Sequence, residues 1–150
     1  MSIENDEDII RGLGFVALYA AYLEEQIDGL LFMLGGIEPF TEEEQRWRTE
    51  RKIDKARQLL AELDFEYRDA LRTDLGSCKR LFDHRNELLH GRIYAGFDRP
   101  DTMKSGKPNT PDRPIVANEL YDLANNLAEA RAAVYRPMIF QLPRALANRK

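Results

Sequence analysis

Apolar residues recur along this chain at steps of three and four in four separate stretches, the spacing that gathers them on one face of an α-helix. In the first, Leu13, Val16, Ala20, Leu23, Ile27, Leu30 and Leu34 make one seam, and Phe15, Tyr19 and Tyr22 make a second row beside it. This helix is predicted from about Glu7 to Leu34, with Gly35-Gly36 ending it. So wide an apolar arc suits either a filled monomer core or a dimer contact. Glu24, Glu25, Gln26 and Asp28 interrupt it, which argues against a membrane span and offers carboxylates to neighbouring helices.

The second stretch follows Pro39-Phe40. Thr41 with Glu44 three residues on reads as a capping box, starting a helix that is predicted to run to about Leu63. Ile53, Ala56, Leu60 and Leu63 fall on one side of it. Arg48, Lys52 and Lys55 fall on the other, with Arg51 and Arg46 nearby. Such a cationic row either tracks RNA phosphates or is a solvated face. Trp47 reads as a junction-packing residue or a base-stacking one.

The third stretch starts near Glu66, with Leu71, Leu75, Cys78, Phe82, Arg85 and Leu89 on its stripe, and ends at His90-Gly91. Glycine just past a helix favours a left-handed cap. Residues 95–114 then hold Pro100, Pro108, Pro111 and Pro114 with two glycines, too many breakers for a helix. Arg92 to Phe97 can form a short extended arm with Ile115 and Val116 returning against it. Leaving directly from Gly91, this loop should stand over the helix end, with Arg92, Arg99, Lys104, Lys107 and Arg113 available to phosphates. It also reads as an insertion with no role. Asn118 is expected to cap a final helix on which Leu120, Leu123, Leu127, Val134 and Met138 face inward, with Pro137 and Pro143 kinking or breaking it and Arg144 to Lys150 a frayed tail. The pattern predicts an all-α single domain over residues 1–150: a four-helix up-down bundle with a Pro/Gly-rich insertion at 95–114, between the third and fourth helices.

Composition narrows the function classes. With 43% hydrophobic and 32% charged residues, the 150-residue chain reads as one soluble globular domain. Its net charge is −4, so any RNA contact has to rest on a local basic patch. Cys78 is the single cysteine, which excludes an internal disulfide or thiolate cluster, and its place on the apolar stripe makes it a packed thiol in a reducing cytoplasm. The acidic N-terminus, with Glu4, Asp6, Glu7 and Asp8, does not read as a signal peptide. There is no Gly-rich phosphate loop or nucleophile elbow.

The chemistry concentrates in Arg85-Asn86-Glu87-Leu88-Leu89-His90-Gly91. Arg85 takes a place on the stripe where an apolar side chain is expected. A guanidinium stays charged when buried, so it needs a carboxylate, a phosphate or a water-filled cleft opposite. Its alternative role is a core-edge residue whose stem packs and whose head pairs with a helix carboxylate. His90 stands at the helix end, where the dipole favours an imidazolium, and it also reads as a plain C-cap. Asn86 and His90, four apart, share a face.

Arg85-Asn86, three further residues and His90-Gly91, late on the third helix of a bundle, resembles the signature of the HEPN superfamily (higher eukaryotes and prokaryotes nucleotide-binding domains), in which Arg, four to six residues and His follow one another. The resemblance implies a symmetric dimer whose two motifs face each other across helix 1 and helix 3 and cut RNA without metal or cofactor, as a toxin or defence protein with a possible cognate antitoxin. In one branch a Tyr stands two residues after the His. Here that place holds Arg92 and the tyrosine is Tyr94, a departure from that branch. As a ribonuclease, His90 would move the proton of a ribose 2′-OH or of the departing 5′ oxygen, Arg85 would stabilise charge on the phosphorane, and Asn86 would orient the phosphate. Two rivals stand beside this: a non-catalytic module binding a partner or a nucleotide, and a di-iron site built on Glu87-x-x-His90 with Glu24 or Glu25. The second lacks a partner motif, since Leu81 stands three residues before His84.

Overall fold

The first seam folds as α1 (Ile9–Met33), with the Asp8 carboxylate accepting from the Arg11 amide at 3.1 Å as its N-cap. The structure, a computed structural model, describes residues 2–94 and 100–149. Val16, Ala20, Leu23, Ile27 and Leu30 have no exposed surface, so the period read in the sequence is the period of the core face. The aromatic row beside them divides. Phe15 and Tyr19 are half-buried, Phe15 with its ring centroid 6.0 Å from that of Tyr121, whereas Tyr22 is exposed.

After a 3₁₀ turn (Leu34–Gly36) the expected second helix is two helices. The Thr41/Glu44 capping box opens α2, Glu42–Gln45, which stops after one turn; α3 runs Thr49–Ala61. Ile53, Ala56, Leu60 and Leu63 are all buried and none of them lies in α2, which buries nothing. No apolar seam therefore obliges α2 to share the axis of α3. Arg48, extended at φ −62° and ψ 148°, makes the corner.

α4, Arg68–His90, matches the expected third helix. Leu71, Leu75, Cys78 and Phe82 are buried, and the stripe continues through Leu88, 1% exposed, and not Leu89, 37% exposed. The insertion departs from an all-α reading. Among the described residues it holds a three-stranded antiparallel sheet in the order β1 (Arg92–Tyr94), β2 (Thr102–Lys104), β3 (Arg113–Pro114). Arg92 pairs with Lys104 and Met103 with Arg113. The extended arm is thus real at 92–94, but its partner is β2, and the remainder of the arm, 95–97, lies outside the described residues. Met103 and Ile115 are 1% and 2% exposed and fasten the sheet to the helices.

α5, Ala117–Phe140, buries Leu120, Leu123, Leu127, Val134 and Met138 as expected and adds Tyr121 and Ala124. Asn118 is not its cap. Val116 holds that position, and Asn118 Oδ1 instead accepts from Asn5 Nδ2 at 2.5 Å. The helix passes through Pro137 and ends at Phe140. Pro143 sits in the first turn of α6, Leu142–Ala147, where its missing N–H costs nothing; Leu142 and Ala145 are buried, so residues 144–147 of the expected frayed tail are helical instead.

Helix directions differ from strict up-down alternation. Gly12 of α1 faces Leu120 and Tyr121, and Gly29 faces Met138, so α1 and α5 run the same way. The segment 34–48 carries the chain back to the level of Glu24 before α3 begins; Thr49 then bonds Glu24 and Lys52 pairs with Asp28, giving α3 the direction of α1. α4 opposes α3: Arg72 Nε donates to the Arg57 carbonyl at 3.1 Å and Lys79, further along, pairs with Asp54, earlier on α3. A connection of this length can return the chain before the next helix, which a short hairpin loop cannot.

Candidate active site

Arg85 lies where the buried stripe of α4 meets the surface, between Phe82 and Leu88. Its guanidinium carbon is 5.3 Å from the centre of the Phe82 ring, so the stem packs while the head reaches outward. Nη2 donates to Glu24 Oε1 at 2.8 Å, and the same oxygen accepts from Thr49 Oγ1 at 2.9 Å. One carboxylate of α1 therefore ties α4 to the first residue of α3. Arg85 Nε is shielded from solvent and has no hydrogen-bond partner among the described residues, which leaves the guanidinium under-satisfied on one edge.

Arg85, Asn86 and His90 line one cleft of about 540 Å³, with Arg48, Thr49 and Ile53 on its other wall. Asn86 and His90 are exposed. Asp83, Glu50 and Lys79 complete the rim, and Lys79 is held by Asp54. The three residues singled out on α4 thus meet in one water-accessible space, although Arg85 also has the internal carboxylate partner that the sequence left open.

Gly91 does not take a left-handed cap. Its φ of −79° and ψ of 164° are extended backbone. A Cβ there would stand 2.9 Å from both Cγ and Sδ of Met103, so the close approach of this β2 side chain favours glycine. At Gly106 a Cβ would stand 2.8 Å from the His90 carbonyl oxygen. Gly106 therefore packs against the backbone of His90, and none of the insertion's described residues lines the cleft. Arg99 lies outside the described residues. Arg113 is turned to Glu119 and Glu87, and Lys104 faces Arg92 across the β1–β2 pair. Arg92 is exposed on β1 away from the cleft lining.

The cationic row on α3 also separates. Arg48 lines the cleft. Arg51 stacks its guanidinium 3.7 Å from the centre of the Trp47 ring. Lys52 is 8% exposed and paired with Asp28 at 2.8 Å, and Lys55 is paired with Glu38. Both lysines, expected from the sequence either to bind RNA phosphates or to face solvent, are instead held in ion pairs, with Asp28 of α1 and with Glu38 of the segment after it.

A second polar cluster was not legible beforehand. Arg113 clamps Glu119 with Nη1 at 2.7 Å and Nη2 at 2.5 Å and reaches Glu87 with Nε at 3.0 Å, while His84 Nε2 donates to Glu119 at 2.8 Å. The Arg113 bonds, together with His84, hold the Glu119 carboxyl below its ordinary pKa. The cluster pins β3 onto α4 and α5. Glu87, the carboxylate of the di-iron alternative, is engaged here, and Glu24 is engaged by Arg85. The sequence paired Glu87 with His90; the residues that draw Glu87 and His84 into this cluster, Arg113 and Glu119, come from the insertion and from α5.

No family model, curated protein or solved structure matches this chain. Among the described residues no helix is long and apolar enough to cross a membrane. Functional assignment therefore rests on the cleft and on the motif within it.

Proposed function

We propose that the protein is a metal-independent endoribonuclease of HEPN type that acts in the cytoplasm as a homodimer, as a toxin or defence protein with a possible antitoxin partner. The observation that carries this reading is the convergence of Arg85, Asn86, His90 and Arg48 on one open cleft. His90 takes the proton from a ribose 2′-OH. The freed oxygen attacks the adjacent phosphorus, the bond to the 5′ oxygen breaks, and that oxygen takes a proton from the His90 of a second subunit. Arg85 stabilises the charge of the phosphorane, Asn86 orients the scissile phosphate, and Arg48 binds the RNA backbone beside it. The products are a 2′,3′-cyclic phosphate and a 5′-OH. Leu18 and Tyr22 on α1, 43% and 37% exposed, are available for the dimer contact.

The deciding experiment uses synthetic single-stranded RNA. Cutting should persist with a chelator, stop when the scissile ribose is 2′-deoxy, and vanish in His90→Ala. A second reading has one observation in its favour: the Arg85 head already has a carboxylate partner in Glu24, as in a non-catalytic module that binds a partner or a nucleotide. On that reading binding survives in His90→Ala and no substrate is ever cut.

A further inference from the structure

The corner between α2 and α3 carries a second cleft of about 510 Å³, lined by Arg46, Trp47, Arg48, Glu50, Arg51 and Asp54. It shares Arg48 and Glu50 with the cleft of Arg85 and His90, so the two adjoin at these residues. Most other cations near these helices are neutralised: Lys52 by Asp28, Lys55 by Glu38, Lys79 by Asp54 and Arg85 by Glu24. Arg46, Arg48 and Arg51 form no ion pair with a carboxylate among the described residues, and all three are exposed. Asp54 is occupied by Lys79, which leaves Glu50 as the one opposing charge on the lining without an ion pair among the described residues. In a chain of net charge −4 this is a local concentration of unneutralised guanidinium, the feature that attracts a polyanion to an otherwise acidic protein.

The corner also holds an aromatic platform. Trp47 is half-buried, its Nε1 is shielded without a hydrogen-bond partner among the described residues, and the guanidinium carbon of the exposed Arg51 lies 3.7 Å from the centre of its ring. A guanidinium plane stacked on an indole presents a second π-like face to a planar ligand, and nucleobases stack on such faces with little sequence preference. Base stacking flanked by phosphate-pairing arginines is the chemistry of single-stranded RNA. A duplex keeps its bases stacked on one another and offers only its backbone.

We propose that this corner is a nucleotide subsite for single-stranded RNA, in which one base stacks on the Arg51–Trp47 pair and its neighbouring phosphate, held by Arg46 and Arg48, leads the strand into the His90 cleft. The placement of the strand rests on the nuclease reading above; the subsite itself does not. Because Trp47 is the single tryptophan of the chain, its fluorescence reads this corner directly.

Titrating His90→Ala protein with a single-stranded octanucleotide RNA should quench or shift Trp47 emission saturably. Inorganic polyphosphate, which has charge and no bases, should leave the emission nearly unchanged. Arg48→Gln with Arg51→Gln should weaken binding about tenfold and lower the slope of log affinity on log salt by about 0.7 for each phosphate no longer neutralised. Trp47→Phe, which keeps the packing, should bind within about threefold of the parent protein, with circular dichroism and melting checked for every variant. RNA that binds by anisotropy without altering Trp47 emission overturns the subsite and leaves the nuclease untouched. Saturable quenching by RNA, with no cutting by the unmutated protein, sustains the subsite and overturns the nuclease.

Discussion

Glu24 Oε1 accepts from both Arg85 Nη2 at 2.8 Å and Thr49 Oγ1 at 2.9 Å, so the orientation of the candidate catalytic guanidinium is set by a carboxylate on a different helix. Glu24→Gln should cost about 1–2 kcal/mol in urea denaturation, less than a fully buried pair because both side chains keep some exposure. A cycle with Arg85→Gln should return a coupling of about 1 kcal/mol. If Arg85 acts on the phosphorane, Glu24→Gln should lower kcat more than it changes KM, since an unanchored guanidinium still binds phosphate.

Two cations of the same row should behave oppositely. Lys52→Ala removes a nearly buried stem and strands the Asp28 carboxylate, so it should destabilise the fold by about 1–2 kcal/mol and leave RNA affinity unchanged. Arg48→Gln should leave the melting temperature within about 1 °C and weaken RNA binding. Equal weakening of RNA binding in the two variants would contradict a structural Lys52 beside a ligand-facing Arg48.

Gly91→Ala introduces a Cβ 2.9 Å from Met103, at a backbone angle any residue adopts. The expected cost is about 1–3 kcal/mol from overpacking alone. Adding Met103→Ala, which vacates that space, should make the Gly91→Ala change nearly neutral in that background. A persistent full penalty would point to the backbone and not to the side-chain collision.

Stability should fall in acid with a slope that involves Glu119 and Asp6. Arg113 holds the Glu119 carboxyl below its ordinary value of 4.5, and the Tyr121 hydroxyl does the same for Asp6 below 3.8. Groups lowered in the folded state bind fewer protons there than when unfolded. Their stabilisation is complete above the ordinary values and is lost as pH falls through the lowered ones. Glu119→Gln should flatten the dependence of urea midpoint on pH below about 4.5; an unchanged slope would mean that Glu119 does not contribute to acid unfolding.

Cys78 is wholly buried and its thiol is pushed up to about 11 by burial and the nearby Asp74. Alkylation by iodoacetamide at pH 8 should be at least about a hundredfold slower than in urea-unfolded chain, where the thiol regains an ordinary pKa and access. Rapid native alkylation would place the residue outside the core.

Much of the framework was legible because it depends on local rules. The α1 seam, the Thr41/Glu44 box, the buried stripe of α4 and the inward face of α5 follow from helical period and local capping, which neighbouring residues decide. The same period put Arg85 at a core edge and Asn86 and His90 on one rim, so the α4 half of the cleft could be written down in advance. The rest required partners distant in sequence. Glu24 reaches Arg85 and Asp28 reaches Lys52 only through the way α1, α3 and α4 pack. The strands β1 to β3, two or three residues long, are too short to show an alternating pattern. Gly91 is glycine because Met103 arrives from elsewhere in the chain. Period and composition fix which faces turn inward; which charge meets which, and hence which cation stays free for a ligand, is decided by packing among helices that the local sequence does not encode.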